Sequence, residues 1–411
     1  MKPFLSILAF AALLALGGGA AAQDPGPSGP LKVERTVMLY RHGIRAPLPG
    51  EAAVDAYAHP PWPVWSTPAS LLTPHGREAA RLMGAYDRQR LSGLGLAAPQ
   101  GCPAPGAIAI WTNTAQRTIA SGEAFADGFA PGCGLAVGHQ PLDTEDPLFH
   151  PVEAKAVEFS GAEAAAAIVA ETGGPAALVA PYAAEIREME RVLGCDRAQP
   201  ACDIASARTA LGPSAKGDGL VLDGPISILS GTAQVFMLQY AEGLPLDQVG
   251  WGRASPRTLE EVSRLHALLF EIHARPRYMA RRIGGPMARR ISTILASRDA
   301  PAVSVFVGHD NNIAALASLI GAHFKMDGYG QDDPPIGGAL ELQVLVDGQG
   351  RRFVAAFYEA QTPDQLRRLV PLSLANPPTR RELALACQAP GQGPCRLDDF
   401  LVQLDRRLKA E

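Results

Sequence analysis

The chain lacks the features that mark several large classes of protein. Its 37 Lys and Arg do not outnumber its 41 Asp and Glu, and the formal charge is −4. Nucleic-acid binding depends on clustered positive charge, so a weakly acidic protein of this size is a poor candidate for it. Beyond the N-terminal stretch no segment approaches the ~18 uninterrupted apolar residues that cross a bilayer. The mature chain should therefore be soluble, with no membrane partner. No C-x-x-C pair is present, which leaves zinc ligation by cysteine without support. A Walker loop, an H-E-x-x-H helix, a G-x-S-x-G elbow and a dinucleotide G-x-G-x-x-G are all missing, so no nucleotide cofactor and no catalytic metal is expected. Nor is there an internal repeat or a low-complexity tract beyond a bias toward alanine.

What is present begins with an export signal. Residues 1–22 carry one charge, Lys2, then an apolar run from Phe4 to Leu16, then small residues ending in Ala20-Ala21-Ala22. This is the layout of a secretory signal peptide cleaved after Ala22, and it predicts a periplasmic or secreted protein. Cleavage removes Lys2 and no acid, taking the formal charge from −4 to −5. The cysteines are even in number, Cys102, Cys133, Cys195, Cys202, Cys387 and Cys395. An oxidising compartment lets disulfides persist. Short loops favour Cys195–Cys202 and Cys387–Cys395, which leaves Cys102–Cys133.

The mature chain exceeds the ~250–300 residues that one core usually serves, so a large domain with a smaller one is expected. Residues 23–30 form a Pro/Gly-rich arm. Val33–Tyr40 reads as a strand entering a buried sheet, ending abruptly at Arg41-His42-Gly43. Residues 46–72, rich in Pro and aromatics, read as a long active-site loop. Trp62 and Trp65 would line its mouth or pin it. Thr73-Pro74 is an N-cap and first-turn signal for a helix from Gly76 to Leu91, and a second amphipathic helix is expected from about Thr114 to Phe129. From 151 to 284 the chain is alanine-rich, helix-forming and almost without strand signals. Strand signals return at Ala302–Gly308, Ala339–Val346 and Phe353–Tyr358. The expected architecture is α/β: a central mixed sheet flanked by helices, built from 31–150 and 285–411, with a smaller all-helical insertion at 151–284.

Two groups carry chemistry. Arg41-His42-Gly43-Ile44-Arg45-Ala46-Pro47 sits at the carboxyl end of a predicted buried strand, the edge where α/β proteins place ligands. Two guanidiniums flank one imidazole, and guanidinium forks match phosphate oxygens. An imidazole among cations should have a depressed pKa and stay neutral, the state in which it can attack phosphorus. Gly308-His309-Asp310-Asn311-Asn312 follows another buried strand. A carboxyl group near a phosphoryl group should have a raised pKa and could protonate a leaving alkoxide; Asp310 could equally cap a helix.

RHGIRAP followed by GHDNN resembles the R-H-G-x-R-x-P and H-D motifs of the histidine acid phosphatases, specifically the exported bacterial branch with phytases and glucose-1-phosphatases. The resemblance extends over WPVW with LTPHG, TAQRTIASGEAF, LQYAEG with WGR, PPIGG and LSLANPP. It implies a phosphomonoester hydrolase acting without a cofactor on a small-molecule substrate. His42 would be phosphorylated, Arg41, Arg45, Arg117 and His309 would hold the phosphate, and Asp310 would donate the proton. Read without the resemblance, Arg117 would be a solvated helix charge. Leu48-Pro49 follows the motif where phytases commonly carry polar or basic residues, and Gln234 stands where relatives tend to have an acid near the substrate pocket. Both features lean toward sugar phosphates such as glucose 1-phosphate over phytate. The other histidines, His59, His75, His139, His150, His266, His273 and His323, read as surface or satisfied core residues. Two further readings are a phosphotransferase or mutase of the wider superfamily and an exported phospho-ligand binding protein that has lost catalysis.

Overall fold

A computed structural model describes residues 27–53, 61–195, 203–388 and 393–409. The expected signal peptide, His59 and Cys202, and with it the expected Cys195–Cys202 pair, lie outside the described residues. In chain order come β1 (Lys32–Arg41), α1 (Pro74–Gly93), β2 (Ile108–Thr112), α2 (Gln116–Phe129) and β3 (Val137–Gly138). There follow α3 (Gly161–Thr172), α4 (Pro175–Val179), α5 (Ala183–Leu193), β4 (Ala210–Pro213), β5 (Leu220–Asp223), α6 (Pro225–Ala241), α7 (Pro256–His273) and α8 (Arg277–Ala296). The chain ends with β6 (Val303–Gly308), α9 (Asp310–Ile320), β7 (Ala339–Val346), β8 (Arg352–Ala360), α10 (Pro363–Arg368), β9 (Thr379–Leu383), β10 (Cys395–Arg396) and α11 (Leu397–Lys409).

The main sheet is mixed, as expected, in the order β10-β8-β7-β1-β6-β2-β3, with β9 added on β8. β1, β6, β2 and β3 run parallel, while β7 and β8 run antiparallel to their neighbours. β1 is buried from Arg35 to its end because helices cover both faces, which is why its sequence reads as a nearly continuous apolar run. Successive side chains on a strand point to opposite faces. Val37 and Leu39 accordingly join a core with residues of α6 to α9, and Met38 and Tyr40 join another with Met83 of α1 and Phe125 of α2.

Local signals explain the flanking helices. The Thr73 hydroxyl accepts a hydrogen bond from Gly76 N at 2.8 Å, and Pro74 opens α1, where a missing N–H costs nothing. α1 and α2 then pack backbone to backbone: a Cβ on Gly84 would stand 2.1 Å from Phe125 O, and one on Gly128 only 1.9 Å from Arg81 O. Only glycine permits that approach.

Among the described residues between 151 and 284 the regular structure is helical apart from one correction. Ala210–Pro213 and Leu220–Asp223 pair as a short antiparallel hairpin. Its strands are too short to show alternation in sequence, yet Leu211, Leu220 and Leu222 pack against Ile168 and Ile272. Disulfides join Cys102 to Cys133 and Cys387 to Cys395, as the loop lengths suggested. No single helix among the described residues is long and apolar enough to cross a membrane.

Candidate active site

The parallel pairing of β1 with β6 sets Arg41 opposite Gly308, and the His42 N–H donates to Gly308 O at 3.0 Å. Both motifs therefore leave the sheet side by side at its carboxyl edge, with the rings of His42 and His309 5.5 Å apart between centroids. His42 Nδ1 lies 2.8 Å from Gly43 O. A carbonyl can only accept, so Nδ1 carries the proton and Nε2 keeps its lone pair. Burial, then the charges of Arg117 and Arg45, His309 and Arg41, hold the imidazole well below the ordinary histidine range. That downward shift has the direction the sequence led us to expect.

Three guanidiniums surround it. Arg41 is buried, donating through Nη1 to Pro334 O at 2.6 Å and placing Nη2 2.9 Å from Asp310 Oδ2. Arg45 is forked onto the Glu51 carboxylate at 2.6 and 2.7 Å, and Glu51 also accepts from Leu48 N at 2.7 Å. Arg117 is the second residue of α2, which follows directly from the end of β2. Among the described residues its side chain makes no hydrogen bond or ion pair, and burial, with Arg45 next, lowers its pKa to about 10. It lines the same cleft as His42, so it is no mere solvated helix charge. His309 touches Asn113 Oδ1 through Nε2 at 3.1 Å and stacks on His150 at 5.1 Å.

Asp310 departs from expectation. It is the first residue of α9, and His309 occupies the capping position. Burial pushes its carboxyl upward, but Arg41, then His266, His309 and Arg45, outweigh that and hold it well below the usual carboxylate range. The expected rise counted only the phosphoryl charge and left out the cations beside it. A phosphate dianion drawn to Arg41 would screen the strongest of these cations, so the proton affinity of Asp310 depends on the substrate.

Sequence reasoning missed several lining residues. His150, His266 and His273, read as ordinary histidines, all face the cleft together with Glu51, Leu269 and Phe270. His266, Leu269, Phe270 and His273 follow the i, i+3, i+4, i+7 spacing of one face of α7, a signal that was there to be read. Burial lowers the His273 pKa. Gln234 is buried, and α6 offers the cleft Ser230 and Gly231 instead. Trp62 pins its loop: it packs against Trp251 at 4.6 Å with the rings tilted by 47°, and donates through Nε1 to Ala53 O at 2.8 Å. Trp65 shares a separate apolar cleft with Trp62, Pro47 and Pro68. Among the described residues no group of three or more His, Cys, Asp or Glu side chains is placed to hold a metal ion.

An oriented imidazole ringed by guanidiniums beside a carboxylate, at the carboxyl edge of a mixed sheet, has the chemistry to hold and attack a phosphate ester. Known proteins agree. Residues 32–186 match the profile of the histidine phosphatase superfamily (branch 2). Phytase AppA of Escherichia coli (strain K12) is 32% identical over 97% of this chain and 95% of its own length. A glucose-1-phosphatase of Salmonella typhimurium is 32% identical over 97% of this chain and 98% of its own. The structure of Hafnia alvei phytase in complex with tartrate superposes with a TM-score of 0.85 at 30% identity, covering 92% of this chain and 98% of that one. The chain belongs to the histidine phosphatase superfamily, branch 2, and is a phosphoric monoester hydrolase.

Proposed function

We propose that the protein is an exported acid phosphatase that works through a phosphohistidine at His42 and acts on small sugar phosphates such as glucose 1-phosphate in preference to phytate. The observation that carries the reading is the Nδ1 contact to Gly43 O, because it leaves Nε2 free beside the guanidinium of Arg117, which has no hydrogen-bond or ion-pair partner among the described residues. In the first step Nε2 attacks phosphorus in line, the P–O bond to the leaving group breaks, and Asp310 protonates the departing oxygen. In the second, water attacks the phosphohistidine and Asp310 accepts its proton. Arg41, Arg45, Arg117 and His309 neutralise the transferring group, supplying the charge stabilisation that positively charged clamps give such reactions. Since Asp310 must carry a proton while His42 remains neutral, activity is greatest at acid pH.

The substrate preference rests on where the charge lies. Beyond the clamp the cleft is lined by Leu48, Pro49, Gly50, Ser230, Leu269 and Phe270 together with the imidazoles of His150, His266 and His273; among the described residues it has no lysine, and Glu51 adds a negative charge. A second phosphate on an inositol ring would meet no further guanidinium among these. Export is supported by the leader sequence and by the two disulfides. The division into a discontinuous α/β domain, 31–150 and 285–411, and a 151–284 insertion belongs to the same proposal.

The test is a panel of glucose 1-phosphate, phytate and p-nitrophenyl phosphate with mature protein and two variants. His42→Ala should abolish turnover and the acid-labile phosphoenzyme. Asp310→Asn should cost about 10²–10⁴-fold on glucose 1-phosphate and much less on p-nitrophenyl phosphate. Equal losses on both substrates would remove Asp310 from the role of acid, and phytate as the best substrate would overturn the preference.

A further inference from the structure

Behind Asp310 stand two buried groups that the mechanism above does not use. His266, on α7, donates through Nδ1 to Asp333 Oδ1 at 2.7 Å, and its Nε2 lies 4.0 Å from Asp310 Oδ2. A carboxylate only accepts, so Nδ1 is the donor and Nε2 is left facing Asp310. Asp333 comes from the segment before β7, is 2% exposed, and has His266 as its one side-chain partner among the described residues. Asp333, His266 and Asp310 thus form a line from the interior to the reacting centre, contributed by three separate parts of the chain.

We propose that His266, held by Asp333, exchanges a proton with Asp310 and so restores the acid form that each turnover requires. It acts through Asp310 and is therefore a positioning residue. The proposal rests on the assignment of Asp310 as the acid.

The atom that matters is Asp310 Oδ2, which has two suitors. Arg41 Nη2 holds it at 2.9 Å while His266 Nε2 waits at 4.0 Å. A phosphoryl dianion competes for Arg41 and loosens the first contact. Closing the second needs a movement of about 1 Å to reach hydrogen-bond distance. The exchange then balances: the proton on His266 Nε2 moves to Asp310 Oδ2, leaving a neutral imidazole with its Nδ1–H still on Asp333. Asp310 passes that proton to the leaving oxygen as the P–O bond breaks. When water attacks the phosphohistidine, Asp310 takes the water proton and returns it to Nε2, so one full cycle leaves His266 as it began. Asp333 stabilises the imidazolium at the start and end of this cycle.

The charged and titratable surroundings of His266 are consistent with that task. Asp333 faces it from the segment before β7 and Asp310 from the start of α9, with His309 and Arg41 acting on Asp310 beyond it. Arg45 reaches Asp310 from the loop after β1, while Tyr329 and Tyr358 face Asp333. On its own helix the nearest ring is Phe270, edge-on at 4.9 Å and without charge. Two carboxylates and one guanidinium thus lie on the line through the ring.

His266→Asn and Asp333→Asn test this, with kcat followed from pH 3 to 8 on glycerol 2-phosphate, a poor leaving group, and p-nitrophenyl phosphate, a good one. His266→Asn should lose about tenfold or more of kcat on glycerol 2-phosphate, most on the alkaline side, and less than about threefold on p-nitrophenyl phosphate. Its alkaline limb should move to lower pH with KM little changed, and Asp333→Asn should move the same way by less. Profiles that superpose on the wild type, or losses equal on both substrates at every pH, overturn the proposal. Should one variant fail to fold, the other decides. Asp310→Asn on the same panel separates the two readings: if its losses do not depend on the leaving group, the acid assignment itself fails. If they do and neither His266 nor Asp333 alters the pH profile, only the relay fails.

Discussion

Glu51 offers a quantitative test of how the clamp is charged. Arg41, Arg45 and Arg117 set three positive charges against the negative charges of Glu51 and Asp310, a net of one positive. Glu51→Gln doubles that net charge while keeping an oxygen to accept from Arg45. A phosphate dianion on the far side of the Arg45 guanidinium would lie about 6–7 Å from the Glu51 carboxylate. At the dielectric of water the lost repulsion is about 0.6 kcal/mol per unit charge, or about 1.3 kcal/mol for a dianion, which is about tenfold in affinity. The partly buried cleft has a lower effective dielectric, so tenfold is the floor. Competitive inhibition by inorganic phosphate measures this directly, at low salt and again at high salt, where the gain should shrink. The two carboxylate contacts to Arg45, at 2.6 and 2.7 Å, are the opposing consideration, since Gln cannot reproduce both. An unchanged or weaker Ki would refute the charge argument and show that Glu51 serves to hold Arg45 in place.

Two further predictions concern the scaffold. Asp87, Glu341 and Glu359 are buried beside the half-buried Arg380 and the buried Arg90, three carboxylates on two guanidiniums. Burial and then Asp87 push Glu359 well above the usual carboxylate range, so it keeps its proton, whereas Arg90 and Arg380 overcome burial to lower Glu341 to about 2. Because the folded pKa of Glu359 lies above its unfolded value, its contribution to stability is complete below about pH 4 and is lost as pH rises toward the folded value, at about 1.4 kcal/mol per unit. Glu359→Gln mimics the protonated acid, so in urea unfolding it should match the wild type near pH 4 and gain on it by that slope above; parallel stabilities from pH 4 to 7 would put the proton elsewhere. Gly84→Ala should force α1 from α2, because its Cβ would meet Phe125 O at 2.1 Å. A cost of about 1–3 kcal/mol should lower the melting temperature by several degrees, and an unchanged melting curve would contradict the close packing.

Much of the architecture was readable from local pattern. β1 ends within one residue of its expected limit because the apolar run stops where charge and glycine begin, and α1 starts where Thr73-Pro74 says it should. β2 and α11 were not anticipated. Residues 108–112 are too few to show alternation, and α11, although amphipathic, lies in a Cys- and Pro-punctuated terminus. The hairpin β4–β5 escaped notice for the reason β2 did.

By itself the sequence determined the chemistry at each strand end: which side chains follow β1 and β6, that one is an imidazole among guanidiniums, and that another is a carboxyl. Such information is local, carried by a few consecutive residues and by the backbone that must turn beside them. Tertiary structure alone decided which charges face each other. The parallel register of β1 and β6 makes His42 and His309 neighbours, the 2.9 Å contact to Arg41 reverses the expected shift of Asp310, and α7 brings His266 to within 4.0 Å of that carboxylate. Electrostatic interactions depend on distance and burial through space, and residues as far apart as 41, 266 and 310 acquire both only when the chain has folded.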